Sequence, residues 1–326
     1  MSISVVICAY TLGRWDDLCA AVQSCHEQTL RAEDVILVVD FNDELFQRAT
    51  DAFAGTRVLV NASSRGLSGA RNTGISASSS DLIAFLDDDA FAEPQWLEQL
   101  TAPFSDPAVA GVGGWIVPNW PTTAPTWFPE TFYWVLGCSY SGLPGDNKSI
   151  RNPIGANMVM RRHVFESVGG FTAGIGRIGR NPLGCEETEL CIRYAKQAPG
   201  ERFVIRHDAI VHHRVPAERI TWDYFWRRCW AEGLSKAAVS SLVGADAGLV
   251  SERRHVLQTM PIEIARSTAA LVKSPRPAAT RIVLIGAGSL LALAGLLRGR
   301  FVLRNTPIQT QGNTKGFPQK SQGDRS

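Results

Sequence analysis

Five apolar runs of strand length, residues 3–9, 35–39, 57–60, 82–86 and 109–117, alternate with longer segments of helical period. Alternation of this kind predicts βα units around a mostly parallel, Rossmann-like sheet flanked by helices, an α/β fold class. Between the first two runs Leu18, Ala21, Val22 and Cys25 recur at helical spacing, which predicts a crossover helix over 15–28 with one buried face. The opening run has no basic leader and no small-residue cleavage site, so it is read as a buried strand rather than a signal peptide. After Pro118 the pattern breaks. Residues 119–140 are dense in Pro and aromatic side chains, among them Trp120, Trp127, Phe128, Phe132, Tyr133, Trp134 and Tyr140, and irregular structure is expected there. Periodicity returns with a helix near Arg161, a strand over 203–211 and a helix over 222–242 that Thr221 caps and whose broad apolar face includes Phe225 and Cys229. The boundaries drawn from these changes are 1–118, 119–243, a helical extension at 244–304 and a disordered tail at 305–326.

Composition narrows the class. With 45% hydrophobic and 20% charged residues the 326-residue chain is an ordinary globular protein, which excludes disorder as its main state. A net charge of +2 gives no reason to expect a nucleic-acid partner. Seven cysteines without a Cys-x-x-Cys pair indicate neither a zinc ribbon nor a redox motif and favour free thiols in a reducing cytosol. The run 282–297 is uncharged and covers roughly 24 Å, short of the roughly 30 Å of a hydrocarbon core. Lys273, Arg276 and Arg281 precede it and Arg298, Arg300 and Arg304 follow, so the charge rule sets no orientation. Two readings stay open: a membrane-associated or short spanning helix with snorkelling arginines, and a buried core or partner-facing helix.

The chemistry gathers at strand ends. The fourth run stops in Asp87-Asp88-Asp89, and ligands of such sheets collect at the carboxyl ends of the strands, where acids hold a divalent cation that bridges phosphate oxygens. If the pleat persists, Asp87 and Asp89 share a side and Asp88 points away. A solvated acidic turn is the plainer alternative. Arg65 to Gly74 places three glycines, two arginines and Asn72 before a helix. It is not the phosphate loop, which needs Gly-Lys followed by Ser or Thr. Asp40 ends the second strand on the same sheet edge. Downstream come Asn152 to Asn157, Gly169-Gly170-Phe171, the segment Gly184 to Arg193 with Glu186-Glu187, and His212-His213.

Together these residues resemble the family 2 inverting glycosyltransferases of bacterial cell-envelope type, over residues 3 to about 238. The resemblance implies the glycosyltransferase-A fold, with the nucleotide-sugar half at 1–118 and the acceptor half at 119–243. It implies a nucleotide-sugar donor, UDP-linked by preference, and a glycan or lipid-linked acceptor. Ala9, Tyr10, Asp40, Gly66, Arg71, Asn72, Asp87 and Asp88 would bind the nucleotide. Asp87, Asp89 and His213 would hold Mg²⁺ or Mn²⁺. The family's general base is the second acid of a Glu-Asp pair, a place taken here by Glu187, and Glu186 stays open as the base. Asn157, Trp134, Arg193 and Arg227 would contact acceptor or diphosphate. The expected location is the cytoplasm, at the inner membrane face, with attachment through 282–297. Two rivals remain, a sugar-phosphate nucleotidyltransferase and a non-catalytic nucleotide-sugar-binding protein. The first would show a basic Gly-rich loop after the first strand, of which Thr11 to Arg14 is a poor version.

Overall fold

The computed structural model describes residues 1–175, 184–244 and 248–305. The expected disordered tail lies outside them, apart from residue 305. In chain order the strands are β1 (Ile3–Ala9), β2 (Asp34–Val39), β3 (Arg57–Val60), β4 (Leu82–Asp87), β5 (Ala90–Ala92), β6 (Val109–Asn119), β7 (Ser149–Ile150), β8 (Asn157–Arg161) and β9 (Arg202–Arg214). They form one sheet in the order β3-β2-β1-β4-β8-β6-β9-β5, with β7 also on β9. The parallel pattern read from the sequence describes β3-β2-β1-β4; beyond β4 the sheet is mixed, because β8 runs antiparallel to both β4 and β6.

The helices are α1 (Trp15–His26), α2 (Asp43–Ala52), α3 (Leu67–Ala77), α4 (Trp96–Thr101), α5 (Arg162–Val168), α6 (Glu186–Gln197), α7 (Trp222–Val243), α8 (Val250–Arg254), α9 (Met260–Ala270) and α10 (Pro275–Asn305). Strand alternation sends Val5, Ile7 and Leu37 to one face, where Leu18 of α1 and Trp96 of α4 cover them. Val6, Ile36 and Phe85 go to the other, against Ile75 of α3, Phe165 of α5 and Leu190 of α6. Because both faces are covered, the central strands read as unbroken apolar runs.

A third core lies beside the sheet. Phe128, Phe132 and Leu136 of the aromatic segment pack with Phe225 of α7 and Leu284 and Ile285 of α10. Much of the aromatic segment is therefore core, and Trp127 stacks on Trp222 at 4.8 Å between ring centroids. The segment expected to be irregular contains a 3₁₀ helix, Glu130–Leu136.

Three boundaries differ from the sequence reading. Gly66 is the N-cap of α3, so most of the Gly-rich segment is helix rather than a loop ahead of one. Strand β9 continues through His212 and His213 because β5 pairs with it, Ala90 opposite His213. The 282–297 run is the middle of the 31-residue α10, about 46 Å long at ~1.5 Å per residue. Helix α10 lies against α7 so closely that a Cβ added at Gly233 would collide with the Ala292 carbonyl, and one at Gly295 with the Trp230 carbonyl.

Candidate active site

The carboxyl end of β4 and the β9 strand meet at a cluster of three. One ligand atom each from Asp87, Asp89 and His213 lies within 4.8 Å of the others. His213 Nε2 is 3.2 Å from Asp89 Oδ1. Arg14 approaches Asp89 Oδ2 at 3.1 Å and Arg219 at 3.5 Å. Burial works against the charge on Asp89, but His213, Arg14 and Arg219 outweigh it and hold the carboxyl well below the usual range. Burial likewise disfavours a charged His213, yet the charge and hydrogen bond of Asp89 push it up to about 10. Two carboxylates and one imidazole suit an oxygen-preferring divalent ion such as Mg²⁺ or Mn²⁺. Asp88 is not one of the three, and the Arg14 Nη1 that approaches Asp89 also sits 2.7 Å from Asp88 Oδ1. Burial and the Asp89 charge raise Asp88 to about 7 against the pull of Arg14.

Arg71 connects this cluster to the second pair of acids. Only 2% exposed, it projects from α3 between the rings of Phe85 and Phe171, 5.7 and 5.3 Å from their centroids. Its Nη1 donates to Glu186 Oε1 at 2.7 Å, and its Nη2 donates to the Gly155 carbonyl at 3.1 Å and lies 3.6 Å from Asp87 Oδ1. A Cβ at position 155 would come within 2.6 Å of Nη2, so a larger residue there would have to displace the guanidinium.

Glu186 and Glu187 form the first turn of α6, after Cys185 in a left-handed conformation. The structure separates the two acids. Both line a cavity of about 900 Å³ together with Asp87, His213, Trp134 and Lys236, but Glu186 is buried and paired with Arg71, while Glu187 is half-buried. Burial, reinforced by the Glu186 charge, raises Glu187 to about 8.

Asp40, Ala9, Tyr10 and Gly66 lie at the neighbouring strand ends, outside the cavity lining. Asp40 accepts from Asn61 Nδ2 at 2.6 Å and from the Gly66 amide at 3.0 Å, which fixes the entry to α3; Tyr10 is exposed.

Four residues expected at the site are committed elsewhere. Asn157 is fully buried, accepts from Trp96 Nε1 at 2.8 Å and donates to the Trp115 and Ala209 carbonyls, a sheet-internal role. Asn72 exchanges two 2.8 Å hydrogen bonds with the Phe171 backbone. Arg193 is engaged by Glu189, Thr172 and the Val168 and Gly170 carbonyls and closes the double-glycine turn. Arg227 is exposed and pairs with Asp223 on its own helix, while Arg228, the next residue, lines the cavity.

Sequence reading took Lys236, with Arg227 and Arg228, as a basic residue that could neutralise diphosphate charge or face anionic lipid, and did not find the roles of Arg14 and Arg219 or the triad that Lys236 makes with Arg151 and Glu252. Glu252 accepts both Arg151 amino nitrogens at 2.7 and 3.0 Å and lies 2.8 Å from Lys236 Nζ. No pattern in the chain announces partners 101 residues apart.

Residues 4–169 match the family model described as Glycosyl transferase family 2. The chain is 35% identical over 246 residues to a glucosyl-dolichyl phosphate glucuronosyltransferase of Haloferax volcanii, covering 74% of this chain and 78% of that one. It is 33% identical over 127 residues to a pre-mycofactocin glycosyltransferase of Mycobacterium tuberculosis, covering 37% of this chain and 27% of that one. Against the succinoglycan biosynthesis protein ExoM of Rhizobium meliloti the identity is 27% over 194 residues, 55% of this chain and 59% of that one.

Proposed function

Because the chain belongs to glycosyltransferase family 2, we propose that it is a metal-dependent, inverting enzyme that moves a sugar from a UDP-sugar to a hydroxyl of a glycan or lipid-linked acceptor. The observation that supports this most is the joining of two functional groupings by Arg71: Asp87 with Asp89 and His213 on one side, Glu186 with Glu187 on the other.

The roles follow from position. Glu187 is the general base. It faces the cavity, and its raised pKa of about 8 suits removal of a hydroxyl proton as the oxygen attacks the anomeric carbon. Glu186 is a positioning residue that acts through Arg71. One displacement from the face opposite the leaving diphosphate inverts the anomeric centre and needs no covalent intermediate. Asp87, Asp89 and His213 would hold Mg²⁺ or Mn²⁺, which when bound supplies positive charge to the departing diphosphate. Arg14 and Arg219 hold Asp89 in place. Ala9, Tyr10, Asp40 and Gly66 would receive the nucleoside at the strand ends. Trp134, half-buried on the cavity wall, would pack against acceptor. The Haloferax relative is named for a glucosyl-dolichyl phosphate substrate, which supports a lipid-linked acceptor and a place at a membrane.

Nucleotide release is measured from UDP-, GDP- and dTDP-sugars, with and without Mn²⁺, for the wild type, Glu187→Gln and Asp89→Ala. Metal-dependent release of one nucleotide by the wild type alone, with nucleotide binding kept in Glu187→Gln and weakened in Asp89→Ala, is the expected outcome. Near-normal turnover by Glu187→Gln would remove it as base; binding without release in the wild type would favour a non-catalytic binding protein.

A further inference from the structure

Helix α10 is seated on protein along one side and bare along the other. On the seated side Gly295 meets the Trp230 backbone, Gly299 admits Ala237, and Gly288 admits Phe132 and Phe225. On the bare side Val283, Leu290, Leu293, Leu297 and Phe301 recur every three, four or seven residues, and each is more than half exposed. An uncovered apolar stripe of this length marks an interaction surface.

Charge says what covers it. Residues 248–305 carry nine Lys or Arg against two acids. Lys273 and Arg276 before the apolar stretch and Arg298 and Arg304 after it are exposed, in reach of anionic headgroups, whereas Arg281 donates to the Thr126 carbonyl. A spanning placement would surround α10 with lipid, and α7 would have to follow it into hydrocarbon with exposed Asp223 and Arg227. An in-plane placement needs lipid on the bare side alone.

The cavity reaches the same surface. Leu257 and Leu293 both line it and are 74% and 51% exposed, so they stand at its rim, while Glu187 lies within. Lys236 and Arg151 are further lining residues, two positive charges that share the single carboxylate of Glu252.

We propose that α10 lies in the plane of an anionic membrane, with the cavity rim at Leu257 and Leu293 opening into the lipid. An acceptor carried on an apolar chain then reaches Glu187 while the chain stays in the bilayer and its phosphate meets Lys236 and Arg151. What enters the cavity rests on the glycosyl-transfer reading; the docking does not.

The full-length chain is sedimented with vesicles of phosphatidylcholine alone and with about one-third phosphatidylglycerol. The wild type should pellet with the anionic vesicles and be released by alkaline carbonate. The double variant Leu290→Asp/Leu297→Asp should bind at least about tenfold less while keeping the wild-type circular dichroism spectrum. A benzophenone amino acid in place of Leu257 should crosslink to phospholipid, and one in place of Arg57, on the far edge of the sheet, should not. Three results would overturn the proposal: no pelleting by the wild type, retention after carbonate (which means a spanning helix), or pelleted protein whose position 257 yields no lipid adduct. Pelleting and crosslinking by a protein that releases no nucleotide would refute the enzymatic reading and leave the docking intact.

Discussion

Arg71→Met removes the charge that separates the two groupings of acids and leaves a side chain of similar reach between Phe85 and Phe171. Glu186, 5% exposed, then loses a 2.7 Å partner and faces Glu187 and Asp87 with no counter-ion of that quality. Removing one member of a buried pair costs about 3–5 kcal/mol, because an uncompensated charge stays buried, whereas replacing both members with neutral groups costs far less. Against a total stability of about 5–15 kcal/mol, the single substitution should lower the urea midpoint by about a fifth or more. Arg71→Met/Glu186→Gln should recover about 2–3 kcal/mol of that loss, a coupling that a double-mutant cycle reads directly. Equilibrium urea unfolding without donor or metal is the assay. A loss under about 1 kcal/mol for Arg71→Met, or a double variant no more stable than the single, would refute the reasoning, since the pair would then be solvated.

Three further outcomes follow. The turnover of the wild type should rise with pH to a plateau above about 8, falling tenfold per unit below it, because Glu187 accepts a proton only as a carboxylate; a limb near the ordinary value of 4.5 would contradict this. Glu252 is lowered to about 2: burial opposes its charge, but Lys236 and Arg151 prevail. Its stabilisation is therefore complete above 4.5 and lost as pH falls toward 2, so Glu252→Gln should cost about 2–3 kcal/mol at neutral pH and flatten the acid limb of stability; unchanged acid unfolding would count against the triad. Gly233→Val should separate α10 from α7, seen as faster proteolysis at the flanking arginines, because a Cβ there meets the Ala292 carbonyl; wild-type protease resistance would mean the helices are not in backbone contact.

What the chain determined alone was set by short-range physics. Continuous apolar runs such as 35–39 can only be strands covered on both faces, and the abrupt change from Leu86 to Asp87 marks where the β4 strand leaves the core. The 4–169 family match covers the stretch where these local signals are densest. Tertiary structure decided the rest. Asn157 and Arg193 have the chemistry of ligand-binding residues, and only the carbonyls that surround them show that their hydrogen bonds are used inside the fold. Glu186 and Glu187 are neighbours of one type on one cavity wall, and it is Arg71, 115 residues from Glu186, that engages the buried one and leaves the half-buried one without that partner. The same holds for α10, whose composition fits a spanning helix equally well. Its one-sided packing on α7 depends on glycines that meet only when distant helices come together, and a sequence records each glycine without recording what approaches it.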